Sequence, residues 1–209
     1  ISINYEKVLE GNSYINEVMG AEKKKENLKD IFSVFRDFRN YLGEAYLQFG
    51  EPINLNALLK EYPLSDYSSE KDWLFKVTPV LGKKIMTTIN DSTVVTSTAL
   101  FSLAILNSDG FSISNRELVS RIELLKSLLA EDKYSAKTLI CEKTGEEIID
   151  QMRKLGFLSK EGINDRISLT NLEAAKLSFY RNNISHLLIF ESLILSLIHI
   201  SEPTRLHGI

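Results

Sequence analysis

The sequence predicts an α+β fold that is predominantly α-helical. Three observations carry that expectation. Apolar residues recur at helical spacing over most of the 209-residue chain. Three helix starts carry a hydroxyl residue followed three positions later by Glu. Strand-type alternation is confined to a few short segments, chiefly near the start.

Taken in order, Ile1-Ser2-Ile3-Asn4-Tyr5 alternates apolar and polar residues, the pattern of a half-buried strand. From Lys23 to Asn40 the period lengthens. Leu28, Ile31, Phe32, Phe35 and Phe38 form the apolar face of an amphipathic helix, and Gly43 follows as a stop signal. Tyr46, Leu47 and Phe49 predict a second short strand, closed by Gly50-Glu51-Pro52, because proline cannot donate to a ladder. A short helix is expected over Asn54 to Glu61, then a polar connection from Tyr62 to Ser69. Asp72 to Asn90 is expected to be helical with an interruption at Pro79 and Gly82. Ser92 to Leu106 is apolar and rich in small residues; it predicts a buried helix, although its β-branched content also suits a strand. Asn107-Ser108-Asp109-Gly110 is a turn.

The three capping pairs are Ser114 with Glu117, Thr144 with Glu147, and Thr170 with Glu173. In each, the hydroxyl can accept from an orphan N–H while the carboxylate reaches back. Leu118, Ile122, Leu125 and Leu129 give the first of these helices its buried stripe. Gly156-Phe157-Leu158 and Arg166-Ile167-Ser168-Leu169 predict a hairpin around Glu161-Gly162, so this region has a partly winged-helix-like order.

Composition excludes some functions. The hydrophobic fraction is 44%, the charged fraction 25% and the net charge −3, which argues against general nucleic-acid binding. Cys141 is the sole cysteine, so an internal disulfide and a cysteine-rich metal site are both ruled out. The chain opens without an initiator Met or a signal-peptide pattern, and the expectation is that it begins in the middle of a longer protein. Lys23, Lys24, Lys25, Lys29, Arg36 and Arg39 form a basic cluster. It suits a solvated helix face, or contact with anionic lipid headgroups or with acyl-donor phosphates, and Glu22, Glu26 and Asp30 dilute it.

Two strings carry more specific information. Gly50-Glu51-Pro52 by itself is plain turn chemistry. A strand ending in Tyr5-Glu6, then an amphipathic helix, then a Phe49-Gly50-Glu51-Pro52 strand end is another matter. That order resembles the tail of the acyltransferase domain of glycerol-3-phosphate acyltransferases. Ile1-Ser2-Ile3-Asn4-Tyr5-Glu6 is similar to the second half of that family's last motif, Val-Pro-Ile-x-Ile-x-Tyr-Glu. The second string is Tyr180-Arg181-Asn182-Asn183-Ile184-Ser185-His186. Taken alone it is a polar patch on a helix with one satisfied histidine. It resembles a segment in the helical C-terminal region of the bacterial membrane-bound 1-O-acyltransferases. The resemblance runs from Ile1 to about Ile194.

The resemblance implies acyl transfer from acyl-CoA or acyl carrier protein to glycerol 3-phosphate, without a cofactor, on the cytoplasmic side of the bacterial inner membrane. It also implies an anionic membrane surface as partner and no nucleic acid. The family's His-x-x-x-x-Asp motif, a general base with its orienting carboxylate, is expected before Ile1, so no catalytic residue is expected here. No such spacing occurs in the chain. His186 and Glu191 mimic it superficially, but helical residues five apart do not share a face. Ile3, Tyr5 and Glu6 map onto the last motif, and the resemblance implies that they shape the substrate pocket.

The expected domains are residues 1–66, the end of an acyltransferase domain, and residues 67–194, a helical C-terminal domain. Residues 195–209 are expected to be foreign. Leu195 to Arg205 resembles the conceptual translation of a transposase-type sequencing adapter, and Leu187 to Ile200 falls short of the roughly 20 residues of a membrane span. Two other classes compete. One is a winged-helix-like protein-interaction module over Ser114 to Ile194, which Glu146, Glu147 and Asp150 turn away from DNA. The other is a helical scaffold without catalysis.

Overall fold

The computed structural model describes residues 1–8, 41–158 and 165–201, with side chains through Leu197. The expected helix over Lys23 to Asn40 and the basic cluster within it lie outside the described residues.

The chain is mostly helical, with three short strand pairs. β1 (Ser2–Tyr5) runs antiparallel to β2 (Ala45–Gln48), with Ile3 opposite Leu47. α1 (Leu55–Glu61) is capped by Asn54, whose side chain accepts from the Ala57 N–H. α2 (Glu70–Asp91) is capped by Ser69. It runs through Pro79 unbroken, which corrects the expected interruption. A proline removes one backbone donor and crowds the preceding turn, but the bonds on either side of it can carry the helix on.

β3 (Val94–Val95) pairs in parallel with β5 (Leu139–Ile140). Only then does α3 (Ser97–Leu106) begin, with Thr96 as its cap. The expected helix from Ser92 therefore starts only at Ser97, with Val94–Val95 ahead of it as strand. α3 is buried at every position from Ser97 to Ile105, as its unbroken run of apolar and small residues requires. It packs against α4 (Asn115–Glu131), α5 (Gly145–Lys154) and α6 (Asn171–Ile184), and these four helices enclose the core. Leu118, Ile122 and Leu129 of α4 are buried there and Leu125 packs against them.

All three hydroxyl caps form. Thr144 and Thr170 make the reciprocal box, with Glu147 and Glu173 accepting from the cap N–H at 2.8 and 2.7 Å. Ser114 makes only its own half, because Glu117 pairs with Arg121 one turn on.

The turn of the expected hairpin, Glu161-Gly162, lies outside the described residues, and its two arms do not pair with each other among those described. Among the described residues β6 (Arg166–Ser168) pairs with β4 (Ser112–Ser114), Ile167 opposite Ile113, and Gly156 to Leu158 is a turn. Gly156 ends α5 at φ 76°, a left-handed cap conformation, with the Phe157 N–H returning to the Met152 carbonyl. α7 (Ile189–Ser201) follows α6 across a 3₁₀ turn at Ser185–Leu188.

Candidate functional site

β1 keeps the alternation its sequence predicts but buries the opposite face. Ser2 and Glu6 point inward, whereas Ile3 and Tyr5 are about half exposed. Leu47 on β2 and Phe49 just past its end are exposed as well, and Leu47 pairs with Ile3 on the same outward apolar surface. Alternation fixes which residues share a face; it does not say which face meets the helices.

Glu6 is fully buried, where an unpaired carboxylate would be costly. Three groups offset part of that cost, although Oε1 accepts no hydrogen bond among the described residues. The Gln151 side-chain amide on α5 donates to Glu6 Oε2. The Glu44 N–H, just before β2, donates to the same oxygen at 3.1 Å. Lys143, ahead of α5, brings its Nζ to 4.0 Å from Oε1. The Glu6 backbone is held as well: its carbonyl accepts from Thr98 Oγ1 on α3 at 2.7 Å, and its N–H donates to the Glu44 carbonyl. Gly43, at φ 75°, lies against the Glu6 side chain so closely that a Cβ would collide with it.

The network extends inward and outward. Ser97 Oγ donates to Gln151 Oε1 at 3.2 Å and lies 3.2 Å from Cys141 Sγ. The Tyr46 hydroxyl donates to Glu44, which Lys143 also approaches at 3.5 Å. The Tyr46 bond and the lysine hold the Glu44 carboxyl below its usual range. Burial, then the Glu44 bond, pushes the Tyr46 phenol well up.

The second string lies beside this clasp. Tyr180 is buried in α6, and its hydroxyl accepts from the Val8 N–H at 2.9 Å, two residues beyond Glu6. Burial raises its pKa. Its ring meets Phe157 and Phe179 edge-on. Lys7 donates to the Leu155 carbonyl at 2.5 Å, over the Phe157 ring. The two strings that stand far apart in sequence therefore meet in space. Ile184 is buried below Tyr180, while Asn182 and Asn183 are exposed.

His186 is half-buried, with Nε2 3.3 Å from Thr93 Oγ1 and its ring edge-on to Tyr134. Burial lowers its pKa. It sits in the 3₁₀ turn and Glu191 in α7, so the two are not on one continuous helix as expected. No group of three or more metal-ligating side chains gathers among the described residues.

The sequence singles out Glu6 and Tyr180 but not the residues that the fold packs against them. Gln151 carried a signal, since it falls among Ile148, Met152 and Leu155 on the buried side of α5, where a long amide needs a polar partner. Lys143, Glu44 and Thr98 carried none, because only the tertiary fold brings them to Glu6.

Residues 14–207 match the model of the glycerol-3-phosphate acyltransferase C-terminal region. The glycerol-3-phosphate acyltransferase of Shewanella pealeana is 33% identical over 203 residues, which is 93% of this chain and 25% of that protein. Those of Pseudomonas putida strain GB-1 and Glaesserella parasuis are 30% and 32% identical, over 94% and 95% of this chain. The chain spans about a quarter of the length of the curated relatives it matches. This chain belongs to the glycerol-3-phosphate acyltransferase family and corresponds to its C-terminal region.

Proposed function

We propose that the chain is a piece of a glycerol-3-phosphate 1-O-acyltransferase, which moves an acyl group from acyl-CoA or acyl carrier protein to sn-glycerol 3-phosphate in phospholipid synthesis. One observation carries this reading: relatives named glycerol-3-phosphate acyltransferase align over nearly the whole chain, which covers only about a quarter of their length. In this proposal residues 1–66 are the end of the acyltransferase domain and residues 67–194 the helical C-terminal domain. Residues 195–209 are foreign sequence in this proposal, although the family match runs on to residue 207; resequencing the source DNA across that junction tests this, and a genomic continuation through Arg205 would refute it.

The role assigned to the chain is to hold the last active-site strand in place. Ile3 and Tyr5 shape the substrate pocket through the outward face of β1, and Glu6 shapes it indirectly by clasping that strand to α3 and α5. The exposure of Ile3, Tyr5, Leu47 and Phe49 supports this, because an apolar strand face of this kind is ordinarily covered. The intact enzyme is placed peripherally on the cytoplasmic face of the bacterial inner membrane. Among the described residues no helix is long and apolar enough to cross a membrane.

A second reading is a winged-helix-like protein-interaction module without catalysis. The antiparallel pairing of β4 with β6, flanking α4 and α5, favours it. Extending the reading frame upstream separates the two. A His-x-x-x-x-Asp motif followed by a phosphate-binding motif, in a protein that restores growth to a strain lacking this acyltransferase, supports the enzyme. A complete upstream frame without them refutes it.

A further inference from the structure

Helix α2 runs 22 residues, yet Val77 is its only buried side chain. Its inner side is defined by Val77, by Trp73, whose indole N–H donates to the Tyr62 carbonyl at 2.8 Å, and by Thr88 against Gly50. Away from that side, Leu74, Phe75, Ile85 and Met86 stand 47%, 75%, 42% and 55% exposed. Spacings of four and seven residues through Thr78 and Gly82 join them into one stripe along the helix. Charge accompanies this stripe. From Trp73 to Asn90 the helix holds Lys76, Lys83 and Lys84, all exposed, and no acidic residue, in a chain whose net charge is −3. Of the three acids of α2, Glu70 and Asp72 fall in the first turn, where they complement the positive end of the helix dipole, and Asp91 is its last residue. α7 also exposes apolar residues, but from Ile189 to Leu197 its only charged residue is Glu191.

We infer that the outer face of α2 is an interfacial docking surface for anionic phospholipid. Phe75 and Met86 enter the acyl-chain boundary, and Lys76 and Lys83 meet the headgroup phosphates. A purely apolar partner would match the stripe but leave the lysines without counter-charge, and a second copy is separated by the sedimentation outcome below. An anionic bilayer satisfies both halves of the helix. The inference rests on the peripheral membrane placement proposed above and names the element responsible.

Co-sedimentation of the full chain with unilamellar vesicles tests it, using phosphatidylcholine alone and phosphatidylcholine mixed with phosphatidylglycerol. Binding is expected only to the anionic vesicles and should weaken with added salt. The pair Phe75→Ser with Met86→Ser, and separately Lys76→Gln with Lys83→Gln, should each lower the partition by about tenfold or more. Phe190→Ser with Leu193→Ser, on α7, should leave it unchanged. All these side chains are exposed, and far-ultraviolet circular dichroism checks that the fold is kept. Absence of wild-type binding, equal binding to neutral vesicles, or indifference to the α2 substitutions overturns the inference. So does sedimentation showing a dimer that Phe75→Ser with Met86→Ser dissolves. Failed vesicle binding beside intact acyl transfer by the extended enzyme removes the α2 assignment and leaves the enzymatic reading standing.

Discussion

Glu6 converts a strand end into a joint. Its carboxylate accepts from Gln151 and from the Glu44 N–H, and its carbonyl accepts from Thr98. Glu6→Ala leaves the Gln151 amide and the Glu44 N–H without their acceptor and takes a carboxylate away from Lys143, while the Thr98 bond to the backbone carbonyl stays, so it should cost about 3 kcal/mol in a urea melt. Glu6→Gln keeps the volume and some bonds and should cost less. Tyr180→Phe removes the acceptor of the Val8 N–H and should cost about 1 kcal/mol. His186 sets a pH dependence. Burial lowers its folded pKa below the ordinary 6.5. Above about 6.5 the ring is neutral in both states. As pH falls from there towards the lower folded value, the unfolded chain takes up the proton first, so stability is lost across that window. Melts from pH 7 to 5 should show this loss in the wild type, and His186→Gln should flatten it. An identical profile in both proteins would remove His186 as the cause.

The helix starts were the most legible elements, because a cap is settled within four residues. Thr144→Ala and Thr170→Ala should each cost about 1 kcal/mol in denaturant melts. Glu117→Ala should cost about 0.5 kcal/mol or less, since Glu117 makes an exposed pair with Arg121 instead of closing its box. Elements that depend on distant partners were less legible. Turn chemistry at Glu161-Gly162 suggested a local hairpin, yet β6 takes a partner more than fifty residues away at Ser112–Ser114. Pro79 read as a break because propensity is local, whereas the helix is set by the turns around it. β1 was located correctly and faced wrongly, since period two is silent about which side is covered.

At the scale of the molecule, the two recognisable strings proved to be one structural feature. Tyr5-Glu6 and Tyr180 close on the same stretch of chain from opposite ends of the sequence, and between them they fasten β1 to α3, α5 and α6. The site was legible as two strings and illegible as a contact, because its remaining partners are single polar residues in ordinary helices. This arrangement suits a region that positions an active site supplied by another part of a longer enzyme. The most direct test is transfer of a radiolabelled acyl group to glycerol 3-phosphate, measured on the 209-residue chain and on the same chain extended upstream to its initiator. The account predicts product from the extended protein and none from the chain alone. Sustained turnover by the chain alone, or none by the extended protein, would contradict it.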